Sequence, residues 1–174
     1  MKRLICLLTV LMLLLPGCAF GRDRHKEPVT FYYLRNHDAS DDYREFFSQG
    51  AVDSEAREAS GHREDLKYLL AMYLQGPLRD DLKNPFPAGC LALSITQNDR
   101  TLHIRLNTLV LRLNEMELTV AGACLAKTFF ELADVDQIHL DAAAPNGEIL
   151  FFRDFTPDNL LLEDSWTQPT EATE

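Results

Sequence analysis

Two runs of alternating residues on either side of a short polar turn constrain the fold of this chain more than any other feature. In Leu91–Thr96, Leu91, Leu93 and Ile95 oppose Ala92, Ser94 and Thr96. In Thr101–Asn107, Leu102, Ile104 and Leu106 oppose Thr101, His103, Arg105 and Asn107, and Gln97–Arg100 lies between the runs. Successive strand side chains point to opposite faces, so period two over both runs predicts a hairpin with one buried face.

Two helices are available to cover that face. Leu66, Leu69, Leu70, Tyr73 and Leu74 recur at helical spacing and form one apolar stripe. Glu64 and Asp65 fall in its expected first turn, where carboxylates suit the positive end of the helix dipole. Gly76-Pro77 stops the helix, because Gly takes the left-handed cap and Pro cannot continue the ladder. A loop stiffened by Pro77, Pro85 and Pro87 leads to the hairpin. The second helix is predicted from about Glu115 to Leu132, with Leu118, Ala121, Gly122, Leu125, Phe129 and Leu132 on one face. The small residues at 121–124 predict close packing against a sheet.

Further strands are predicted at Val29–Leu34, which is β-branched and aromatic, at Val135–Asp141, and at Glu148–Arg153 after the Pro145-Asn146-Gly147 turn. Residues 35–60 read as a long connection with one short helix after Ser40 and an acidic close at AVDSEAREAS. A connection of this length is unusual in a compact domain. Asp38, Asp41, Asp42 and Glu45 match no calcium loop, which needs a fixed Gly and a terminal Glu, and they read as solvated. The expected class is α+β: a β-α-β-β-α-β sandwich with both helices on one face of a small mixed or antiparallel sheet, plus an extra C-terminal strand.

The amino terminus has signal-peptide order. Met1-Lys2-Arg3 is basic, and Leu4–Leu15 is apolar but shorter than the ~20 residues that span a bilayer. Leu15-Pro16-Gly17-Cys18 resembles a bacterial lipobox, with Pro16 departing from the usual pattern. On that reading Cys18 carries a diacylglyceryl anchor to the cell membrane, and the protein is extracytoplasmic. The rival cut after Ala19 would release a soluble protein. The expected organisation is therefore leader and lipobox at 1–18, a tether at 19–28, one domain at 29–154 and a disordered acidic tail at 155–174.

Charge excludes some partners. The net charge is −10 over 174 residues, and the two cations Lys2 and Arg3 precede Cys18 without an acid, so the remainder is more acidic still. That argues against nucleic acid, whose binding rests on Lys and Arg.

Several short segments resemble the GerM-type (GerMN) domain family. Leu74-Gln75-Gly76-Pro77 resembles the Leu-x-Gly-Pro that ends its first helix. Pro85-Phe86-Pro87-Ala88-Gly89 resembles its approach to the hairpin, with Cys90 where Thr is common. Arg105–Thr108 falls at the family's Asp-Leu-Ser step as an imperfect match, and Asp134–Ile138 resembles its last strand. The resemblance covers roughly residues 29–142. It implies an envelope lipoprotein, some members serving sporulation and germination, and a fold similar to ring-building modules. The family has no established catalytic residues, so the resemblance supplies none.

The functional expectation is a non-catalytic interaction module that contacts an envelope protein, or assembles with itself, through its sheet or an edge strand. The alternative is an enzyme or metal-binding protein using His103, His139 and Asp141, which fall on predicted polar strand faces. No GxSxG, HExxH or CxxC occurs, and no motif calls for a metal or cofactor. Cys90 and Cys124 leave two outcomes open: a disulfide tying hairpin to helix, if the Cα atoms come within about 7 Å, or two buried thiols packing as small hydrophobes.

Overall fold

The computed structural model describes residues 28–36, 50–59 and 61–160. The leader with Cys18, nearly all of the tether, the segment after Ser40 and the tail beyond residue 160 with Trp166 lie outside the described residues.

The elements are β1 (Val29–Arg35), β2 (Val52–Arg57), α1 (Leu66–Leu74), β3 (Leu82–Lys83), β4 (Ala92–Asn98), β5 (Thr101–Leu106), α2 (Glu115–Leu132), β6 (Gln137–Ala143) and β7 (Ile149–Phe155), with short 3-10 turns at Thr108–Arg112 and Pro157–Asn159. The class is α+β, as expected. The strands form two sheets where the sequence suggested one: a three-stranded sheet in the order β2-β1-β3 and a four-stranded sheet in the order β4-β5-β6-β7. β5 and β6 pair in parallel, and the other pairs are antiparallel. Parallel neighbours need a crossover, which the 3-10 turn and α2 provide.

One core joins the two sheets and both helices. Phe31 and Tyr33 of β1 meet Leu69, Leu70 and Tyr73 of α1, Leu125 and Phe129 of α2, and the inward rows Leu102-Ile104-Leu106 and Ile138-Leu140. Tyr33 and Tyr73 stack with ring centroids 4.9 Å apart. Each hydroxyl donates to a main-chain carbonyl, Tyr33 to Tyr73 and Tyr73 to Tyr32, both at 3.0 Å. The pair buries two rings without leaving a phenol unsatisfied.

α1 buries Leu69, Leu70, Tyr73 and Leu74 as its stripe requires, while Leu66 is half-buried. Asp65 lies one position outside the helix and caps it, its carboxylate accepting from the Tyr68 N–H at 3.0 Å. Gly76 closes the other end at φ +91°, in the left-handed region. α2 begins with a reciprocal capping box between Asn114 and Glu117. Its close approach is real at Gly122, where a Cβ would lie 2.3 Å from Cζ of Phe155.

The hairpin forms, but its first strand departs from the expected pattern. Leu91 and Leu93 are 61% and 54% exposed. A register shift between Ala92 and Ser94 breaks the alternation, so Ile95 keeps the inner phase and the earlier leucines lose it.

β2 is an element the sequence hid inside AVDSEAREAS. Its Glu55 and its Arg57 are consumed by partners further along the chain. Buried Glu55 accepts from the main-chain N–H groups of Leu78 and Arg79 at 3.0 and 2.8 Å. Arg57 donates to the carbonyls of Met72 and Gly76 at 3.3 and 3.0 Å, fastening β2 to the end of α1.

Candidate functional site

The inner face of the four-stranded sheet is core, and its outer face carries the polar residues singled out in the sequence. Strand register lays them out in two rows. Thr96, His103, His139 and Asp154 are neighbours across β4, β5, β6 and β7. Ser94, Arg105, Asp141 and Phe152 form the next row. The strands therefore do bring His103, His139 and Asp141 together, and parallel pairing of β5 with β6 is the reason.

The side chains in these rows are already engaged. The Arg105 guanidinium clamps Asp141 through two parallel bonds, Nε to Oδ1 at 2.6 Å and the terminal nitrogen to Oδ2 at 2.8 Å. That pairing raises the Arg105 pKa, through its hydrogen bond to Asp141 first and the charge second. Asp141 is 5% exposed, so the clamp supplies the counter-charge that a buried carboxylate needs. His139 holds Asp154 through Nδ1 at 2.6 Å, and its Nε2 lies 4.0 Å from Asp141 Oδ2. The His103 and His139 ring centroids are 5.3 Å apart, and Phe152 stacks on the other side of His139 at 5.9 Å.

This arrangement positions groups but offers little for catalysis. Each oxygen of Asp141 accepts one bond from the Arg105 guanidinium, so the carboxylate is engaged with a cation of the same chain. Among the described residues no group of three or more His, Cys, Asp and Glu is placed to hold a metal ion. Reasoning from sequence named His103, His139 and Asp141 but not Arg105, Asp154 or Phe152 as their partners. Alternation in Ile149–Phe155 puts Phe152 and Asp154 on one face, yet only the strand register shows that this face adjoins His139.

The two thiols lie elsewhere. Cys90 and Cys124 are free and buried in the structure. Burial pushes the Cys90 thiol up to about 11 and Cys124 to about 12. Thiols held neutral at ordinary pH are poor nucleophiles. Cys18 lies outside the described residues.

No family model matches the sequence, and no curated protein matches it. Among solved structures the chain is similar to the tandem GerMN domains of the sporulation protein GerM from Bacillus subtilis, at 16% identity and TM-score 0.48 over 71% of this chain. It spans 43% of that protein's solved chain. It is also similar to the structure named "Putative Lipoprotein from Clostridium perfringens", at 14% identity and TM-score 0.46, covering 78% of this chain and 90% of that one. Among the described residues no helix is long and apolar enough to cross a membrane.

Proposed function

We propose that the chain is a lipid-anchored, extracytoplasmic GerMN-like domain that acts as a non-catalytic interaction module of a bacterial cell envelope. The observation that carries the reading is the order of basic residues, apolar run and Cys18 at the amino terminus. Two acyl chains on Cys18 give stable anchoring where one gives marginal binding. The short segments at 74–77 and 85–89 that resemble GerMN domains extend the reading to sporulation or germination envelopes. The non-catalytic part is supported by the outer sheet face, whose Asp141 is spent on Arg105 and whose His139 is tied to Asp154. A second reading, a metal or catalytic site on His103, His139 and Asp141, draws on their adjacency and is opposed by the same pairings.

Membrane fractionation tests the anchor. Cys18→Ala moves the protein out of the membrane fraction or leaves it unprocessed, and a variant that fractionates and migrates like the parent sinks the reading. Crosslinking in the native membrane, followed by purification, separates the two functional readings. A captured envelope protein supports the module, and a stoichiometric transition metal lost on His139→Ala supports the site.

A further inference from the structure

β7 is a terminal strand of its sheet, so among the described residues one side of its backbone faces no strand. At the C-terminal end a side chain closes that side. The Asn159 amide donates from Nδ2 to the Asp154 carbonyl at 3.3 Å, and its Oδ1 accepts from the Thr156 N–H at 2.8 Å. Those are the two bonds that one residue of a parallel strand would make opposite Phe155. Asn159 thus stands in for a strand residue and shows which way the edge groups point. By strand alternation the N–H and C=O of Phe152 open to the same side.

Upstream of this plug the edge is apolar, and among the described residues no segment pairs with it. Ile149, Leu150 and Phe152 are 50%, 47% and 64% exposed. Ile149–Phe152 contains no charge and no proline, two of the usual protections of an edge strand, and its one irregularity is a register shift against β6 between Ile149 and Phe151. Arg153 does not guard it, because its guanidinium donates to Thr119 Oγ1 and lies over the Phe151 ring. The acidic charges stand toward the two ends: exposed Glu148 before the strand, Asp154 near its end and held by His139, and exposed Asp158 after it.

We propose that this edge receives an extended, apolar segment of a partner protein, with Lys or Arg at both of its ends, as an added strand beside β7. The inference rests on the interaction-module reading and names its docking element and the chemistry of the partner. The open backbone groups of Phe152 supply the hydrogen bonds, and Leu150 and Phe152 supply apolar contact. The acidic ends fix the charge of the partner, and the net charge of −10 favours its approach. A second copy fits less well. Antiparallel self-pairing centred on Phe151 sets Glu148 against Asp154 of the other copy, like charge against like charge.

The test uses the full chain in detergent and a synthetic peptide of alternating Val and Thr with paired Lys at both ends. A twin peptide carries paired Glu instead. The basic peptide is expected to bind and to shift the main-chain amide resonances of residues 149–153. The acidic twin should bind at least about tenfold more weakly. Phe152→Pro removes the outward N–H at an edge position where proline is tolerated, and should abolish binding. Leu150→Lys keeps the backbone and should weaken the basic peptide selectively, which controls for a folding defect in the proline variant. Equal binding of the two peptides, no binding of either, shifts confined to β2 or β4, or self-association through residues 149–153 in sedimentation would each overturn the proposal. None of these outcomes depends on the lipid, so loss of the anchor reading and loss of this one are distinguishable.

Discussion

Gly122 is the residue at which a single methyl group should matter most. It sits in the middle of α2, where glycine is otherwise unfavourable, and Phe155 of β7 fills the space a side chain would take. Gly122→Ala gains helix propensity but drives a Cβ into an aromatic ring that is itself 3% exposed. The clash should win, at a net cost of about 1–3 kcal/mol in urea unfolding. A variant as stable as the parent would mean that the ring moves aside freely. The small-residue run at 121–124 made close packing legible in the sequence, but not which residue it packs against. The same limit applies to His139 and Asp141. Their polar face could be read from alternation, whereas Arg105 and Asp154 became their partners only through register. Glu55 and Arg57 were the least legible, because their partners lie in the loop and helix end at residues 72–79.

At the scale of elements, legibility followed periodicity. α1, α2, β1 and the hairpin carry strong local patterns, and all were located from them. β2 carries none: its Glu and Ala residues favour helix, and it becomes a strand because β1 pairs along its whole length. β4 was located correctly but its phase was not, since a bulge leaves no mark in the alternation of residue types. α1 offers a comparison between cap and core. Asp65→Ala removes the bond to the Tyr68 N–H and should cost about 1 kcal/mol. Leu70→Ala empties a fully buried position and should cost about 2–5 kcal/mol. Chemical denaturation of both variants checks the ranking, and equal small effects would mean that the helix does not pack as described.

For the whole molecule, the buried acids make a prediction about alkaline pH. Burial raises Cys90 to about 11 and Cys124 to about 12 from an ordinary value of 9.0. Burial, then the bond to Glu131, raises Tyr32 to about 12 from 10.0. Burial pushes Tyr33 and Tyr73 further up still. In the unfolded chain these groups ionise first, so above pH 9 the folded state binds more protons than the unfolded one. The stability held by the neutral groups is therefore complete below pH 9 and declines as pH rises toward 12. Melting temperatures from pH 8 to 11 should fall steadily across that window, and a flat profile would contradict it. Thiol counting on denatured, unreduced protein bears on the same groups. In protein lacking residues 1–18, and so lacking both Cys6 and Cys18, two reactive thiols from Cys90 and Cys124 are expected, and none would mean that the two are bonded.

The hydrogen bond from the Tyr32 N–H to Thr128 Oγ1, 2.9 Å long, joins residues 96 positions apart. Thr128 is fully buried and returns its own hydroxyl proton to the Cys124 carbonyl at 3.0 Å, so β1 gains this contact only from an α2 that is already wound. Time enters here. β1 is among the first parts of the domain to be synthesised, yet its contact with α2 must wait for residue 128. At typical rates of elongation that wait is roughly 5–20 s. A chain ending at Arg112 should accordingly leave the β1 amides open to rapid hydrogen exchange, although β2 and β3 are both present. β1, made early, is thus completed only once α2 has emerged.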